Sequence, residues 1–574
     1  MQADRNWKVL HKVKAKGQKE LLKILLNNRK IKTRKEIEEF LNPKLEDVTA
    51  ASVGIDKKQL KASVYRIRKA IKNKEQIAIF GDYDVDGICG TAILWETLNS
   101  LGAKVTPYIP HRTSEGYGLS IAGIENLKSQ PRLNRGQRSN LKLIITVDNG
   151  IVANKAVELA NKKGIDVIIT DHHVLGKDRP KALAIVHTTK LCGAGVAYLL
   201  SEEVRKSQFA CRENINDSTS DKRQATSHLE LVALATVADI VPVKGANRAL
   251  LKFGLEELRK TKRPGLIALL QEAGIKPETI GTYEIGHIIA PRLNAMGRLE
   301  HAMDSLRLIC TTNKKRAADL ALALSSTNRQ RQLVTEEAIL HATTYIKDNK
   351  LYNRKLLYVS HKTYLPGVIG LVAGRLVEEF FRPAIVLSLG KKYSKASARS
   401  VAGFNIVEFI RQASEFLVDV GGHPMAAGFT VETEKIPVLQ KKLEQLAEAL
   451  LSDSHFVRNL RIDTKLPFSM LDISIYDAIQ KLAPFGMANP QPVFLTEKVT
   501  IEDMRLVGAE GKHIKLKVKS EKSKVGVDAI AFGMGEKASQ FHIGSKVDIV
   551  YSVEDDSWDG NRRLQLKIKD LKKN

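Results

Sequence analysis

The sequence predicts an α/β protein: a parallel-sheet domain, a long helix leading into a smaller α/β domain, and a C-terminal β-barrel. Three observations carry that expectation. Short, continuously apolar runs alternate with helical stretches from Gln76 onward. A second, shorter strand–helix alternation follows a polar-rich helical segment at about 314–346. From about Val457 the chain becomes a series of short strands at regular spacing.

The runs QIAIF (76–80), AKVTPYI (103–109), KLIITV (142–147), DVIIT (166–170) and ALAIV (182–186) are short and apolar, and helices fit between them at 88–100 and 152–163. Strands of this kind belong in a parallel sheet covered on both faces, whose ligands sit beyond the strand C-termini. In the second pattern KLLYV (355–359), AIVLS (384–388) and KASAR (395–399) read as strands, and GVIGLVAGRLVEEFF (367–381) as a helix. HIKLKVK (513–519), VGVDAIAFG (525–533), KVDIVYSV (546–553) and RRLQLKIKD (562–570) supply the barrel. Residues 1–70 read as helical and basic, with Thr33 as an N-cap and Glu36 completing a capping box. The domains implied are 1–70, 71–313, the linking helix 314–346, 347–456 and 457–574. SQPRLNRGQRSN (129–140) and CRENINDSTSDKRQATSH (211–228) read as polar surface loops.

Composition narrows the function. The 574 residues are 43% hydrophobic and 27% charged, which excludes a mostly disordered chain. Lys and Arg exceed Asp and Glu by 91 − 64 = 27, so a polyanion such as nucleic acid is the expected partner. The four cysteines form no C-x-x-C pair, so neither a disulfide framework nor a thiolate zinc site is expected. No apolar run of transmembrane length is present, and the expected location is cytoplasmic, with no membrane partner.

Four motifs carry chemistry, and each also has a plain structural reading. GDYDVDG (81–87) follows the strand QIAIF, and in extended backbone Asp82, Asp84 and Asp86 share one face. Three such carboxylates suit a cation, or else a solvated turn. An EF-hand calcium loop is excluded, because Ile93 stands where the bidentate Glu belongs. TVDNG (146–150) adds Asp148, which could instead cap a helix. TDHH (170–173) offers His172 and His173, with Asp171 to orient an imidazole, or a purely structural pair. TVADIVP (236–242) places Asp239 in an apolar helical run, where a carboxylate is costly unless paired, metal-bound or exposed at the helix end. Acids and imidazoles at successive strand ends of one sheet converge. Oxygen-rich ligands with one or two imidazoles suit Mn²⁺ or Mg²⁺, and two such ions are the usual device for hydrolysing phosphate esters.

These four motifs together resemble those of the DHH phosphoesterase superfamily. GYGLS (116–120), PRLNAMGRL (291–299), PGVIGLVAGRL (366–376), SARS (397–400), GGHPMAAGF (421–429), APFGMANPQPVF (483–494) and GKHIKLKV (511–518) resemble, more closely, the RecJ family of 5′→3′ exonucleases. That family joins a DHH domain, a DHHA1 domain and an oligonucleotide-binding (OB) barrel. The resemblance implies metal ligation by Asp84, Asp86, Asp148, His172 and Asp239, with Asp82 close by. It implies that His173 contacts the scissile phosphate. Ser397, Arg399 and a turn of Gly421, Gly422 and His423 would hold substrate phosphates, and Arg292, Asn294 and Arg298 would either contact DNA or cap structurally between helices. One departure is that Tyr364-Leu365-Pro366 replaces the Trp-His that usually opens the DHHA1 motif.

The resemblance implies a two-ion Mn²⁺ or Mg²⁺ exonuclease acting on single-stranded DNA in repair and recombination, with a single-strand-binding protein and a helicase as partners. Two alternatives are a DHH–DHHA1 phosphodiesterase acting on short oligonucleotides or cyclic dinucleotides, and a non-catalytic replication scaffold. The extra barrel argues against the first, and the intact acids against the second.

Overall fold

Five parallel strands frame the first α/β region, in the spatial order Lys104–Tyr108, Gln76–Gly81, Leu141–Val147, Asp166–Asp171, Ala184–His187. Ile77 to Phe80 are wholly buried, as strands covered on both faces require. The order reverses at Gln76–Gly81, whose neighbours are the second and third strands in sequence. The crevice at such a switch point is where open α/β sheets bind ligands. The helix Val85–Ser100 leaves that crevice and is buried along most of its length. Gly90 permits its contact with the helix Gly193–Arg212, since a Cβ there would lie 3.1 Å from Ala194 Cα.

The computed structural model describes residues 5–112, 115–116, 118–129, 141–212, 227–521, 523, 525–556 and 562–574. The surface-loop expectations at 130–140 and 213–226 lie outside the described residues. No helix among the described residues is long and apolar enough to cross a membrane. The expected linking helix runs from Lys314 to Asp348, capped by Asn313. The second sheet has the order Leu417–His423, Ala426–Glu432, Tyr393–Arg399, Ala384–Ser388, Leu357–His361. Its pairings are antiparallel except the last, which is parallel. This region and the first lie within one compact unit, residues 45–241 and 249–456.

The second unit comprises residues 1–44, 242–248 and 457–574. Its barrel runs Phe494–Val507, His513–Lys519, Val527–Ala531, Arg563–Lys573, Lys546–Asp556 and back to Phe494–Val507. This 1-2-3-5-4-1 circuit is a closed five-stranded OB barrel.

The expectation of a helical region over 1–70 needs correction. Asn6–His11 is a strand, paired in parallel with Asn459–Lys465. Its alternating Trp7 and Val9 pack against Ile462 and Leu495, an association of residues over 450 positions apart that no local pattern announces. The Thr33–Glu36 capping box does form. Leu21, Leu25 and Phe40 join the barrel core, so a cut at residue 457 alone would strip them of cover.

Segment 242–248 belongs with the barrel because of Arg248. This buried guanidinium donates to the carbonyls of Phe40, Leu482, Ala483 and Pro484 and lies over the Phe40 ring. Asn489 donates to Leu482 and Pro484 and accepts from Arg29 Nε at 2.6 Å. The APFGMANP stretch is therefore a clasp of carbonyls around two buried arginines.

Candidate metal centre

The acidic motif begins where Gln76–Gly81 ends. Its geometry is a strand-to-helix bend, which corrects the expectation of an extended backbone presenting three carboxylates on one face. Asp84 is the N-cap of Val85–Ser100, accepting from Asp86 N at 3.0 Å and Gly87 N at 3.1 Å. Asp86 lies in the first turn and accepts from Gly193 N at 2.6 Å and Ala194 N at 2.7 Å. Asn294 Oδ1 accepts from Val85 N and steadies the bend. Gly87 is required at this turn, since its Cβ would come 2.6 Å from Asp82 Cβ.

Asp148 ends the neighbouring strand at φ +63°, a left-handed conformation uncommon outside glycine and concentrated at functional sites. His172 and His173 follow Asp166–Asp171, and Asp239 caps the C-terminus of helix Leu229–Ala238. These elements converge on one imidazole. His172 Nε2 lies 3.0 Å from Asp148 Oδ1 and 3.6 Å from both Asp86 Oδ2 and Asp239 Oδ2. The candidate ligand atoms of Asp86, His172 and Asp239 lie within 4.8 Å of one another, as do those of Asp148, His172 and His173, and of Asp82, Asp84 and Asp148.

The electrostatics are those of buried carboxylates that repel one another. Burial and then Asp84 push Asp86 up to about 7. Burial and then Asp86 push Asp239 up to about 9. Asp82 and Asp148 are likewise driven well above the carboxylate range by burial and by neighbouring acids. His172 is pulled down to about 4, first by burial and then by His173, and so is the neutral imidazole that metal ligation requires. Asp82 Oδ1 and Asp239 Oδ2 are buried without a hydrogen-bond partner. A divalent cation fits this set: it would satisfy those oxygens and relieve the repulsion, and carboxylates with imidazole suit Mn²⁺ and Mg²⁺.

Asp171 serves the neighbouring histidine. Its Oδ1 takes His173 Nδ1 at 2.8 Å and the amides of His172 and His173, while Oδ2 takes Ile151 N at 2.9 Å. Burial pulls His173 down, but Asp171, with Asp82 and Asp86, carries it above its ordinary value. The His423 ring, from the second sheet, stacks parallel to His173 at 6.2 Å between centroids.

A positive group stands beside the acids. Arg112 lies 4.9 Å from the Tyr83 ring centroid. Arg399 Nη1 donates to Ser397 Oγ at 3.1 Å and Ala398 O at 2.9 Å. Arg298 Nη1 donates to Gly367 O. Gly367, just before the helix Ile369–Phe380, and Gly370 within it allow a close approach to these arginines, since their Cβ atoms would fall 2.1 Å from Arg298 O and 2.9 Å from Arg399 Nη2. Burial pulls Arg298 down to about 10, with Arg112, Arg331 and Arg399 adding to it, and Arg399 is lowered by burial and then Arg112.

The structure thus brings together Asp82, Asp84, Asp86, Asp148, Asp171, His172, His173 and Asp239, with His423 across from His173. Arg292 is placed otherwise, donating to Ile288 O and Ser325 Oγ. The expected turn of Gly421, Gly422 and His423 is instead the end of a strand, paired with Ala426–Gly428. Gly422, at φ +141°, is needed there because its Cβ would meet Ala426 O at 2.3 Å. Sequence reasoning missed Arg112 and Tyr83. Their one signal was position: Tyr83 inside the acidic motif and Arg112 just past the end of Lys104–Tyr108.

Comparison with known proteins identifies similar families and structures. Family models match as the DHH family N-terminal domain over residues 76–236, the DHHA1 domain over 353–449 and the RecJ OB domain over 462–570. The single-stranded-DNA-specific exonuclease RecJ of Bacillus subtilis is 34% identical over 524 residues, covering 89% of this chain and 63% of its own. The chain therefore spans somewhat under two thirds of that relative. The Thermus thermophilus protein of the same name is 32% identical, covering 90% of this chain and 71% of its own. Crystal structures of Thermus thermophilus RecJ in complex with Mn²⁺ and with Mg²⁺ superpose with TM-scores of 0.79 and 0.74, at 28% and 26% identity. Each covers 100% of this chain, which spans 80% and 79% of theirs.

Proposed function

This chain belongs to the RecJ family, and from that premise we propose that it is a metal-dependent exonuclease hydrolysing single-stranded DNA from the 5′ end. One observation carries the reading: three carboxylates and a neutral imidazole meet at the switch point of a parallel sheet. Asp84, Asp86, Asp148, His172 and Asp239, with Asp82 beside them, would hold two Mn²⁺ or Mg²⁺ ions. Such ions supply an activated water and neutralise charge on the phosphoryl group and the leaving oxygen.

The protein's own groups do the rest. Asp171 holds His173 Nδ1, and the imidazole so oriented would donate to a phosphoryl oxygen as charge develops. Arg112, Arg298 and Arg399, with Ser397, offer donors for a terminal phosphate, and a planar guanidinium binds it bidentately. His423 and the glycines before it would border the same strand, and Arg292 and Asn294 act by supporting the helices beneath. A single-strand-binding protein and a helicase are the partners this activity calls for in DNA repair and recombination, in the cytoplasm and without a membrane.

The test is cleavage of a long 5′-labelled single strand, its duplex and a dinucleotide, with Mn²⁺ or with chelator. The wild type should release nucleotides from the long strand alone and only with metal. His172→Ala should lower that rate by several orders of magnitude while the protein stays folded. Near wild-type cleavage by the variant would refute the metal assignment.

A further inference from the structure

The helix Lys57–Lys72 covers the flank of the first sheet, and its charges serve more than that cover. Its 16 residues include seven lysines and arginines and no acid. Leu60, Ile67 and Ala70 are buried beneath it, and Arg66 turns inward with them, donating to Asp166 at 2.5 Å and Glu75 at 2.7 Å. The other cations face away. At about 100° per residue, Lys57, Lys58, Lys61, Arg68, Lys69 and Lys72 fall within about one third of the circumference. Tyr65, 72% exposed, lies in their midst. This arrangement works against the helix. Lys57 and Lys61 are like charges four residues apart, as are Arg68 and Lys72, and such pairs destabilise. Lys57 and Lys58 also stand at the positive end of the helix dipole.

Neighbouring acids do not offset the row. Asp56 is occupied as the N-cap, accepting from Lys58 N and Gln59 N. Glu202 and Glu203, on the packed helix Gly193–Arg212, pair with Arg205 and Lys206. The helix is also fixed in place. Gln59 Oε1 accepts from Ile185 N at 2.8 Å on the edge strand, and Thr188 Oγ1 donates to Val53 O at 2.6 Å just before the helix begins. Arg66 reaches Asp166 at the start of its strand. The row therefore begins level with the strand C-termini, where the metal centre lies, and runs back along the flank for about 22 Å. Lys190 continues it towards the centre. Its Nζ lies 3.9 Å from the Cβ position of Gly54, and the following Gly193 holds Asp86 by its amide.

We propose that the outer face of Lys57–Lys72 binds the phosphate backbone of the duplex that adjoins a single-stranded tail under digestion. This rests on the exonuclease reading and deepens it: the strand end enters the metal centre while the paired region behind it lies along the flank. Charge complementarity selects a polyanion. Shape selects the duplex. Single strands are gripped in grooves lined by stacking aromatics, whereas this face is an exposed helix with one ring among six cations. A straight row of cations suits the dense, regular phosphates of a duplex, and contacts to them carry no sequence preference. The Tyr65 hydroxyl offers a further donor to the same phosphates.

The experiment measures affinity of the full chain, in chelator and across a salt series, for two fluorescent DNAs: a twelve-nucleotide single strand, and a twenty-base-pair duplex bearing that strand as its 5′ tail. The variant combines Lys61→Gln, Lys69→Gln and Lys72→Gln. On the tailed duplex it should lower the slope of log K against log salt by about 2.7, the share of three duplex phosphates at about 0.9 each. On the single strand, affinity and Mn²⁺-dependent cleavage should match wild type. Its melting temperature should be no lower than wild type, because like charges have been removed. Arginine at the same three positions should keep the wild-type slope, which ties the effect to charge. Equal slopes for wild type and the glutamine variant on the tailed duplex would overturn the proposal and leave the exonuclease reading standing. Equal losses on both DNAs would overturn it by assigning the face to the single strand. Unchanged DNA binding, with a glutamate decamer bound by wild type alone, would overturn it in favour of an acidic protein segment. A wild type that does not cleave the single strand in Mn²⁺ would refute the exonuclease reading whichever way the slopes fall.

Discussion

Two clusters of buried charge lie in the unit of residues 45–241 and 249–456, and they are built on opposite principles. Around Arg263 each acid has a hydrogen-bonding partner. Its guanidinium contacts Glu230 and takes Glu96 at 2.6 Å, and Glu96 also accepts from His228 Nε2 at 2.8 Å. Burial alone would raise Glu96, but the Arg263 and His228 hydrogen bonds hold it down at about 2. Around His172 the charges are unbalanced: burial and mutual repulsion push Asp86 to about 7 and Asp239 to about 9. The difference separates a structural polar core from a binding site. A cluster that completes its own pairs holds the fold together, and one that does not is arranged for a ligand of opposite charge.

The largest expected contrast comes from breaking each cluster once. Asp148→Asn should lower exonuclease rate by several orders of magnitude, yet leave the metal-free protein as stable as wild type or more so, since it removes a repelled charge. Arg263→Met should do the reverse, costing about 3–5 kcal/mol in urea denaturation because Glu96 and Glu230 lose their cation. If Asp148→Asn unfolded the protein and Arg263→Met did not, the distinction would collapse.

A smaller effect, with the same logic, is in pH. The raised Asp86 and Asp239 keep their protons in the folded state after the unfolded chain has released its own. Metal-free stability should therefore fall as pH rises from about 4 to about 9. Glu96 acts oppositely: its contribution is complete above about 4.5 and is lost as pH falls towards 2. Melting temperatures across pH 3–9 should show both arms in chelator. Saturating Mn²⁺ should abolish the alkaline decline, because the ions replace the retained protons.

The smallest effect concerns the strand end. Arg399 is held in plane by Ser397 Oγ and Ala398 O, a geometry that Lys cannot reproduce. Arg399→Lys should slow cleavage of 5′-phosphorylated strands about tenfold, the equivalent of one charge-assisted hydrogen bond, and 5′-hydroxyl strands less. Equal losses on both substrates would reassign Arg399 to holding the two sheets together.

Much of this was legible in the sequence because its signals are local. Ile77 to Phe80 announce a doubly covered strand, and Asp148 and His172 are marked by standing at strand ends. What was not legible depends on partners distant in sequence. The strand Asn6–His11 has its partner at Asn459–Lys465, and the role of segment 242–248 rests on Arg248 reaching carbonyls at 482–484. Arg112 was hidden for another reason. In a chain with 91 lysines and arginines, one more arginine carries no signal until Tyr83, Arg298 and Arg399 are seen beside it. Asn294 was legible as either a DNA contact or a structural cap, and its hydrogen bond to Val85 N spans two motifs that sequence spacing cannot relate.

The most direct test of the central claim is calorimetric titration of the full chain with Mn²⁺ at pH 6 and pH 8, for wild type and Asp148→Asn. The unbalanced cluster predicts two ions per wild-type chain, tighter binding at pH 8 than at pH 6, and protons released to the buffer as Asp86 and Asp239 ionise. It predicts that Asp148→Asn loses most of that binding while melting no lower than wild type. Wild-type binding unchanged by pH, or Mn²⁺ taken up equally by Asp148→Asn, would contradict it.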